Sequence, residues 1–167
     1  MLYSLSTVIC PYCDERQGRF VSTDYKEVLV TWQGDGQFQG KNPAGGGIHI
    51  DADAAQAGLS PMELLLAAVA GCSGVDVASI LRKKRQPLEG FEVQVRGHRA
   101  PDHPKVYTHI EVDYLFRGEG LDPKAVEQAL RLSVEKYCSV SATLKAAARI
   151  TWRYRILPQD VRGEIAD

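Results

Sequence analysis

The sequence predicts an α+β fold with mostly antiparallel strands, in the order β-β-β-α-β-β-α-α-β. Short alternating runs of β-branched and aromatic residues occur before residue 52 and again between residues 91 and 116. Helical patterns occupy residues 60–85 and 122–148 instead. Strand runs that are separated from helices along the chain are typical of α+β proteins.

The chain is long enough for one domain with a sizeable core, at 167 residues. We assign residues 1–23 to an N-terminal extension, 24–157 to the domain and 158–167 to a polar tail. The extension contains a CxxC, formed by Cys10 and Cys13. One CxxC is half of a zinc site, or a reactive dithiol. Three interpretations stay open: an appended segment without chemistry, a redox pair, and a metal site shared between two subunits.

Charge and cysteine content restrict the function classes. The formal net charge is −1, which gives no electrostatic case for binding nucleic acid or an anionic membrane. No apolar run approaches the ~20 residues of a membrane span, and the N-terminus lacks the pattern of a signal peptide. Four cysteines without a secretion signal indicate a reducing, cytoplasmic compartment. They are then expected to be chemical or metal-binding rather than structural.

The N-terminal part of the domain predicts three strands. Residues 27–32 alternate and are β-branched, and the turn at 34–36 leads to a short strand at 37–38. A second turn at residues 45–47 precedes a strand at 48–51, in which His49 is expected to face solvent. Residues 52–59 are predicted to be a loop that leads to the long helix.

The long helix of residues 60–85 has clear start and stop signals. Ser60 is suited to the N-cap, Pro61 to the first helical position, and Glu63 to the carboxylate of a capping box. Four cations, Arg82, Lys83, Lys84 and Arg85, complement the negative end of the helix dipole, and Pro87 then stops the helix.

This helix is apolar on nearly every side between residues 64 and 69, which predicts a buried central helix. A few short strands cannot cover it on all sides, so a twofold homodimer is expected. Cys72 lies in its middle, and the flanking Gly71 and Gly74 predict a close approach of another backbone or a small substrate.

Two alternating runs, residues 91–99 and 106–116, predict an antiparallel pair of strands. His98, His103 and His109 lie in or between them. Their spacing is not that of a metal site, and no acidic residue is expected to join them. We therefore expect these histidines to be structural or exposed.

The second helix is predicted to begin at Asp122 and Pro123 and to run through Tyr137. Its predicted apolar stripe is Val126, Leu130, Val134 and Tyr137. After a break, residues 142–148 predict a short helix capped by Ser139 or Ser141, and residues 149–157 a final strand. Cys138 thus lies at a helix junction, where the following helix can lower its pKa.

Two segments carry a family resemblance. The strings SPMELLLAAVAGCSGVDVASIL and KYCSVSATL resemble the OsmC family, which includes the organic hydroperoxide resistance proteins, and they look closest to its less characterised branch. The resemblance implies an intertwined homodimer in which antiparallel sheets surround two long central helices, one from each subunit. It also implies two active sites at the subunit interface and an antioxidant role in oxidative stress.

The resemblance further implies a thiol peroxidase. Cys72 would be the peroxidatic cysteine, oxidised by an organic hydroperoxide to a sulfenic acid, and Cys138 the resolving cysteine that forms a disulfide with it. A dithiol reductant, of the lipoyl type in relatives, would reduce the disulfide. No cofactor or metal is implied, because sulfur carries both electrons.

The thiolate of Cys72 needs an activating group, and here the sequence departs from the better-known relatives. They use an early arginine and a glutamate directly after the proline, whereas here Met62 follows Pro61 and no arginine lies between residues 24 and 82. Lys41 is a weak substitute. The nine-residue step from Glu63 to Cys72 places them on opposite helix faces, so Glu63 is a helix cap or acts in trans across the dimer.

Asp76 is the other acidic candidate, one turn after Cys72 on the same helix face. It is either a buried, hydrogen-bonded aspartate or a carboxylate that positions a cation against the thiolate. The missing arginine keeps a second function class open, a non-catalytic or redox-sensing dimer that binds a small apolar ligand.

Overall fold

The computed structural model describes residues 25–52 and 58–157, and within them it has two three-stranded sheets and three α-helices. The predicted α+β class is confirmed. The N-terminal extension with Cys10 and Cys13, most of the 52–59 loop and the 158–167 tail lie outside the described residues. The elements are β1 (Leu29–Gly34), β2 (Gln37–Lys41), β3 (Gly47–Asp51), α1 (Pro61–Lys83), β4 (Gly90–Arg99), β5 (Tyr107–Arg117), α2 (Pro123–Leu132), α3 (Ser139–Leu144) and β6 (Arg149–Leu157), with a π-helical turn (Ser133–Tyr137) between α2 and α3.

The first sheet is an antiparallel meander in the order β1-β2-β3. Its first turn places Asp35 and Gly36 at φ values of 46° and 77°, the left-handed region that glycine tolerates and aspartate occupies at turns. Apolar side chains of this sheet remain open to solvent, among them Leu29 at 68% and Trp32 at 67% exposure. None of its residues joins the hydrophobic core of the described chain.

The second sheet has the order β4-β5-β6 and carries the core on its inner face. β4 and β5 are antiparallel as predicted, whereas β5 and β6 are parallel. Ile110, Val112, Tyr114 and Phe116 alternate along β5 toward α1, while the residues between them face outward. Apart from the buried Leu115, this alternation gives the sheet a polar outer face.

Tyr107 fixes the start of α1 on this sheet. Its ring lies over Gly97, where an added Cβ would stand 2.3 Å from the ring, so only glycine fits there. The phenol then donates a 2.9 Å hydrogen bond to the carbonyl oxygen of Met62 in the first turn of α1.

The predicted burial of α1 on all sides is wrong for the described chain. Only Val69, Ser73, Val77 and Leu81 are buried, at helical spacing, on the face toward the second sheet and α2. On the opposite side Val75 is 72% exposed. The sequence shows that the helix is apolar all round, but one sheet covers only one stripe of it.

α1 is long and apolar enough to cross a bilayer by length and composition alone, so the expectation that no stretch approaches a membrane span is wrong for this helix. The core helix of a soluble protein meets the same criterion. One face of α1 packs on β4 and α2 in the hydrophobic core. We therefore describe α1 as the core helix of the fold.

The outer face of the second sheet is held together by Asp113, whose side chain is only 9% exposed. Arg153 donates to both of its carboxylate oxygens, and Arg96 donates to Oδ2 at 2.8 Å. Hydrogen bonds from Arg153, together with the charge of both guanidinium groups, hold the pKa of Asp113 below its ordinary range. The carboxylate therefore links all three strands.

We expect Asp113→Asn to lower the free energy of unfolding by about 1.5–3 kcal/mol at neutral pH, because charge-assisted hydrogen bonds are lost. A lowered folded pKa stabilises the protein above the unfolded pKa, and this contribution is lost as the pH falls through the folded value. The difference from wild type should therefore shrink below about pH 4. Urea unfolding at several pH values measures it, and Asp102→Asn, at an exposed turn residue, is the control. Equal losses in both variants would contradict the assignment.

Candidate active site

The structure brings Cys72 of α1 and Cys138 of the helix junction together. Both are free thiols, Cys72 half-buried and Cys138 buried. Their Sγ atoms and a carboxylate oxygen of Asp76 all lie within 4.8 Å of one another. Two thiols at this separation need only a small movement to form a disulfide. The site is thus a dithiol with one carboxylate beside it.

A π-helical turn positions Cys138. The backbone N–H of Cys138 donates to the carbonyl oxygen of Ser133, five residues earlier, at 2.8 Å. The wider turn shifts the helix face by one residue, so the predicted apolar stripe ends early: Cys138 is buried and Tyr137 is 49% exposed. π-helical turns are rare and frequently lie at functional sites.

The prediction for the following helix is wrong in its start and its cap. α3 spans Ser139–Leu144 rather than residues 142–148, and Cys138 itself is the N-cap. Its Sγ accepts hydrogen bonds from the backbone N–H of Ser141 at 3.4 Å and from the Ser141 hydroxyl at 3.1 Å. Serine is a favoured N-cap, so the sequence predicts Ser139 or Ser141 in that role rather than a thiol.

Ser133 connects the junction to α1. Its hydroxyl lies 3.4 Å from the backbone oxygen of Ser73 and 3.3 Å from Oδ2 of Asp76. Asp76 is therefore half-buried and hydrogen-bonded, and among the described residues it has no ion-pair partner within 4 Å. This arrangement agrees with the interpretation of Asp76 as a hydrogen-bonded aspartate rather than as a carboxylate that positions a cation.

The surroundings of Cys72 raise the pKa of its thiol. Burial is the main cause, and the neighbouring side chains of Cys138 and Asp76 add to it. The backbone N–H of Val140, in the first turn of α3, acts in the opposite direction by donating to the sulfur. Within the described ranges, no arginine or lysine is among the main influences on this pKa. The isolated chain therefore favours the neutral thiol at Cys72.

Tyr114 lies near the two thiols and Asp76. It is almost fully buried, and burial raises the pKa of its phenol to about 12, with smaller contributions from Cys138, Asp76 and Cys72. The phenol is thus a permanent hydrogen-bond donor near the thiols. The alternation of β5 could have placed Tyr114 on the inner face. The spacing from Val126 and Leu130 could have placed Ser133 on the buried face of α2, whereas no sequence signal marked the N–H of Val140.

Glu63 lies in the capping box of α1. Its Oε2 accepts from the backbone N–H of Ser60 at 2.8 Å and from the Ser60 hydroxyl at 2.7 Å. The hydrogen bond from that hydroxyl lowers the pKa of Glu63. The capping role is confirmed, and a role across a dimer stays a prediction.

An added Cβ at Gly71 would meet nothing within 4 Å of the described chain, and one at Gly74 would make only ordinary contact with β4. The approach of a partner backbone or a small substrate to these glycines stays a prediction. One further expectation is wrong. Glu111 lies beside His98 and His109, at 3.6 and 3.7 Å, although no acidic residue was expected there. The strand pairing, which the local spacing did not show, brings these three residues together.

Fold and site together define a class: an α+β protein in which a core helix and a helix junction present two free thiols to each other. The chain belongs to the OsmC family, since the family model described as OsmC-like protein matches residues 52–153. Among curated relatives, protein YhfA of Escherichia coli is 38% identical over 131 residues, which cover 78% of this chain and 98% of the relative.

Solved structures share the fold of this chain. A hypothetical protein from Aquifex aeolicus is 38% identical with a TM-score of 0.74, covering 83% of this chain and 100% of that one. The organic hydroperoxide resistance protein OhrB of Bacillus subtilis has a TM-score of 0.55 at 17% identity, covering 80% and 100%. The second likeness concerns the fold alone.

Proposed function

We propose that this protein is a thiol peroxidase that reduces organic hydroperoxides. The observation that carries the proposal is the pair of free thiols, Cys72 and Cys138, whose sulfur atoms lie within 4.8 Å of each other. Family membership adds to it, because the fold is shared with proteins named for organic hydroperoxide resistance. A buried cysteine beside a half-buried one suits a peroxidatic and resolving pair.

The proposed reaction has three steps. The Cys72 thiol loses its proton to solvent, and the thiolate attacks the distal oxygen of the hydroperoxide. The O–O bond breaks, the alkoxide takes up a proton from solvent and leaves as an alcohol, and Cys72 becomes a sulfenic acid. The Cys138 thiol then condenses with it, forming the S–S bond and releasing water. A dithiol reductant reduces the disulfide by thiol–disulfide exchange and is itself oxidised to a disulfide. Both electrons of each turnover come from that dithiol.

The α1 surface around Cys72 supports an apolar substrate. Ala68 and Val75 lie one helical turn before and after Cys72 on the same side, and both are exposed. An alkyl group next to the peroxide would bury apolar area against them. The proposed substrate class is therefore an alkyl or aryl hydroperoxide rather than hydrogen peroxide.

A homodimer is part of the proposal. The uncovered side of α1 and the exposed apolar residues of the first sheet, such as Leu29 and Trp32, are surfaces that a soluble chain ordinarily covers. A second copy would cover both and would enclose the thiols. It would also be the source of a cation for Cys72, which the described residues of one chain do not provide.

A second function is favoured by one observation, the raised pKa of Cys72 without a nearby cation. A neutral thiol is a poor nucleophile. On this alternative the dimer binds a small apolar ligand, and the cysteines are inert or respond slowly to oxidants.

The pH dependence of thiol oxidation distinguishes the two. In stopped-flow mixing with cumene hydroperoxide, we expect about two thiols per subunit to be consumed. Because only the thiolate reacts, the rate should rise about tenfold per pH unit up to the pKa of Cys72 in the dimer. A cation from the second copy should bring that plateau to a lower pH than the raised pKa of the isolated chain would give, whereas a rate that still rises at about pH 9 is expected of the ligand-binding protein. Thiol consumption no faster than that of free cysteine at every pH would contradict the peroxidase and support the ligand-binding protein.

A further inference from the structure

We propose that His98, His109 and Glu111 form a binding site for a transition-metal ion of the Zn²⁺ type on the outer face of the second sheet. One ligand atom from each of the three residues lies within 4.8 Å of the other two. Imidazole nitrogens with a carboxylate oxygen are a donor set that Zn²⁺ binds. The site shares no residue with the dithiol, which lies on the inner side of the sheet.

The strand pairing builds the site. His98 of β4 and His109 of β5 are directly opposite each other in the antiparallel register. Glu111 is two residues after His109, so its side chain leaves the same face of the sheet. Such neighbours on one face have their Cβ atoms ~5–8 Å apart, which side chains of this length can bridge through one ion.

The distances fit a shared ion better than direct hydrogen bonds. Nε2 of His98 and Nδ1 of His109 lie 3.6 and 3.7 Å from the same oxygen, Oε1 of Glu111. These separations are too long for good hydrogen bonds. Bonds of ~2.0–2.1 Å to a tetrahedral Zn²⁺ place ligand atoms about 3.3 Å apart, so a movement of a few tenths of an ångström closes both gaps. The His98 side chain is 59% exposed and free to make it.

Thr151 supplies the outer support that metal-binding histidines usually have. Its hydroxyl lies 2.8 Å from Nε2 of His109, the nitrogen that points away from Glu111. When the metal is bound to Nδ1, Nε2 carries the proton and donates a hydrogen bond to the Thr151 oxygen. That hydrogen bond fixes both the tautomer and the orientation of the His109 ring. A residue of β6, the strand next to β5, thus holds the His109 ring in position.

The arrangement of the two histidine rings also favours one bound metal ion over protonation of both rings. The rings of His98 and His109 are stacked, with centroids 5.5 Å apart and an angle of 19° between their planes. Two imidazolium ions in this position would repel each other. One divalent ion bound by two neutral rings and the carboxylate avoids that repulsion, and three protein ligands leave a coordination position open to solvent.

A Zn²⁺ titration of the ¹⁵N-labelled full chain, followed by spectra of the histidine ring nitrogens, tests the proposal. We expect the ring signals of His98 and His109 to shift and to saturate at one ion per site, while those of His49 and His103 stay in place. This measurement is independent of any Zn²⁺ that the cysteines bind. Ring signals of His98 and His109 that do not move with added Zn²⁺, or that move only as much as those of His103, would overturn it.

Variants give the second measurement, the affinity read from the same ring shifts. His98→Ala and Glu111→Gln should abolish saturable shifts at His109, whereas His103→Ala, in the exposed turn of the same hairpin, should bind as wild type. Thr151→Val keeps all three ligands and should weaken binding about 10- to 100-fold. Thr31→Val in the first sheet is its control. Wild-type affinity in Glu111→Gln would overturn the proposal.

Discussion

Cys72→Ser is expected to lower the consumption of cumene hydroperoxide to the rate of the protein-free solution. The reaction needs a sulfur that accepts an oxygen atom, and a serine hydroxyl neither ionises near neutral pH nor forms a stable oxidised state. The substitution changes one atom in a half-buried position of α1, so the fold should persist. Peroxide loss in the presence of a dithiol reductant, followed over many turnovers, measures the effect.

Cys10→Ser is the matched control, because it removes a thiol by the same change in the N-terminal extension. We expect it to retain the wild-type rate. A Cys72→Ser variant that still consumes peroxide enzymatically would exclude Cys72 as the peroxidatic residue. If Cys10→Ser alone lost the activity, the reaction would belong to the CxxC instead.

Much of the fold could be predicted because its signals are local. The capping box of α1 depends on Ser60 and Glu63, three residues apart, and both of its hydrogen bonds are present. The strand pair β4 and β5 follows from two alternating runs joined by a short turn. In each case the residues that determine the structure are neighbours in the sequence, and no tertiary contact overrides them.

The helix junction could not be predicted in the same way. The π-helical turn depends on whether the N–H of Cys138 bonds to the carbonyl of residue 134 or of Ser133, and side-chain patterns do not decide this. Ser133 lies at ordinary helical spacing from Val126 and Leu130, and its hydroxyl reaches Ser73 and Asp76. The wider turn that follows it places Cys138 rather than Tyr137 on the buried side. Tertiary packing therefore displaced Tyr137 from the predicted apolar stripe.

The cluster of His98 and His109 could not be predicted for a different reason. Local spacing along the chain separates His98 from His109, and metal motifs are ordinarily recognised by such spacing. The antiparallel register places them opposite each other. The predicted strand limits pair residue 99 with 106 and so place His98 opposite Tyr107. The observed register depends on a bulge between His98 and Arg99, which the alternating pattern does not show.

Cys138→Ser is expected to leave the first oxidation intact and to stop the cycle after one turnover. The Cys72 sulfenic acid should form, but without the second thiol no internal disulfide follows, so the oxidised enzyme accumulates. Serine is a favoured N-cap and should replace the thiol that begins α3, so stability should change little. One equivalent of peroxide should yield a sulfenic acid at Cys72, trapped by a dimedone adduct in peptide mass mapping.

The wild-type protein, mapped without reduction after the same treatment, should show a peptide pair joined between Cys72 and Cys138. This result follows from the distance between their sulfur atoms and from the buried position of Cys138, which lets it react with its neighbour rather than with bulk thiols. Cys13→Ser is the control and should give the same linked pair. A wild-type disulfide from Cys72 to any other cysteine, or continued turnover by Cys138→Ser at the wild-type rate, would remove Cys138 from the resolving role.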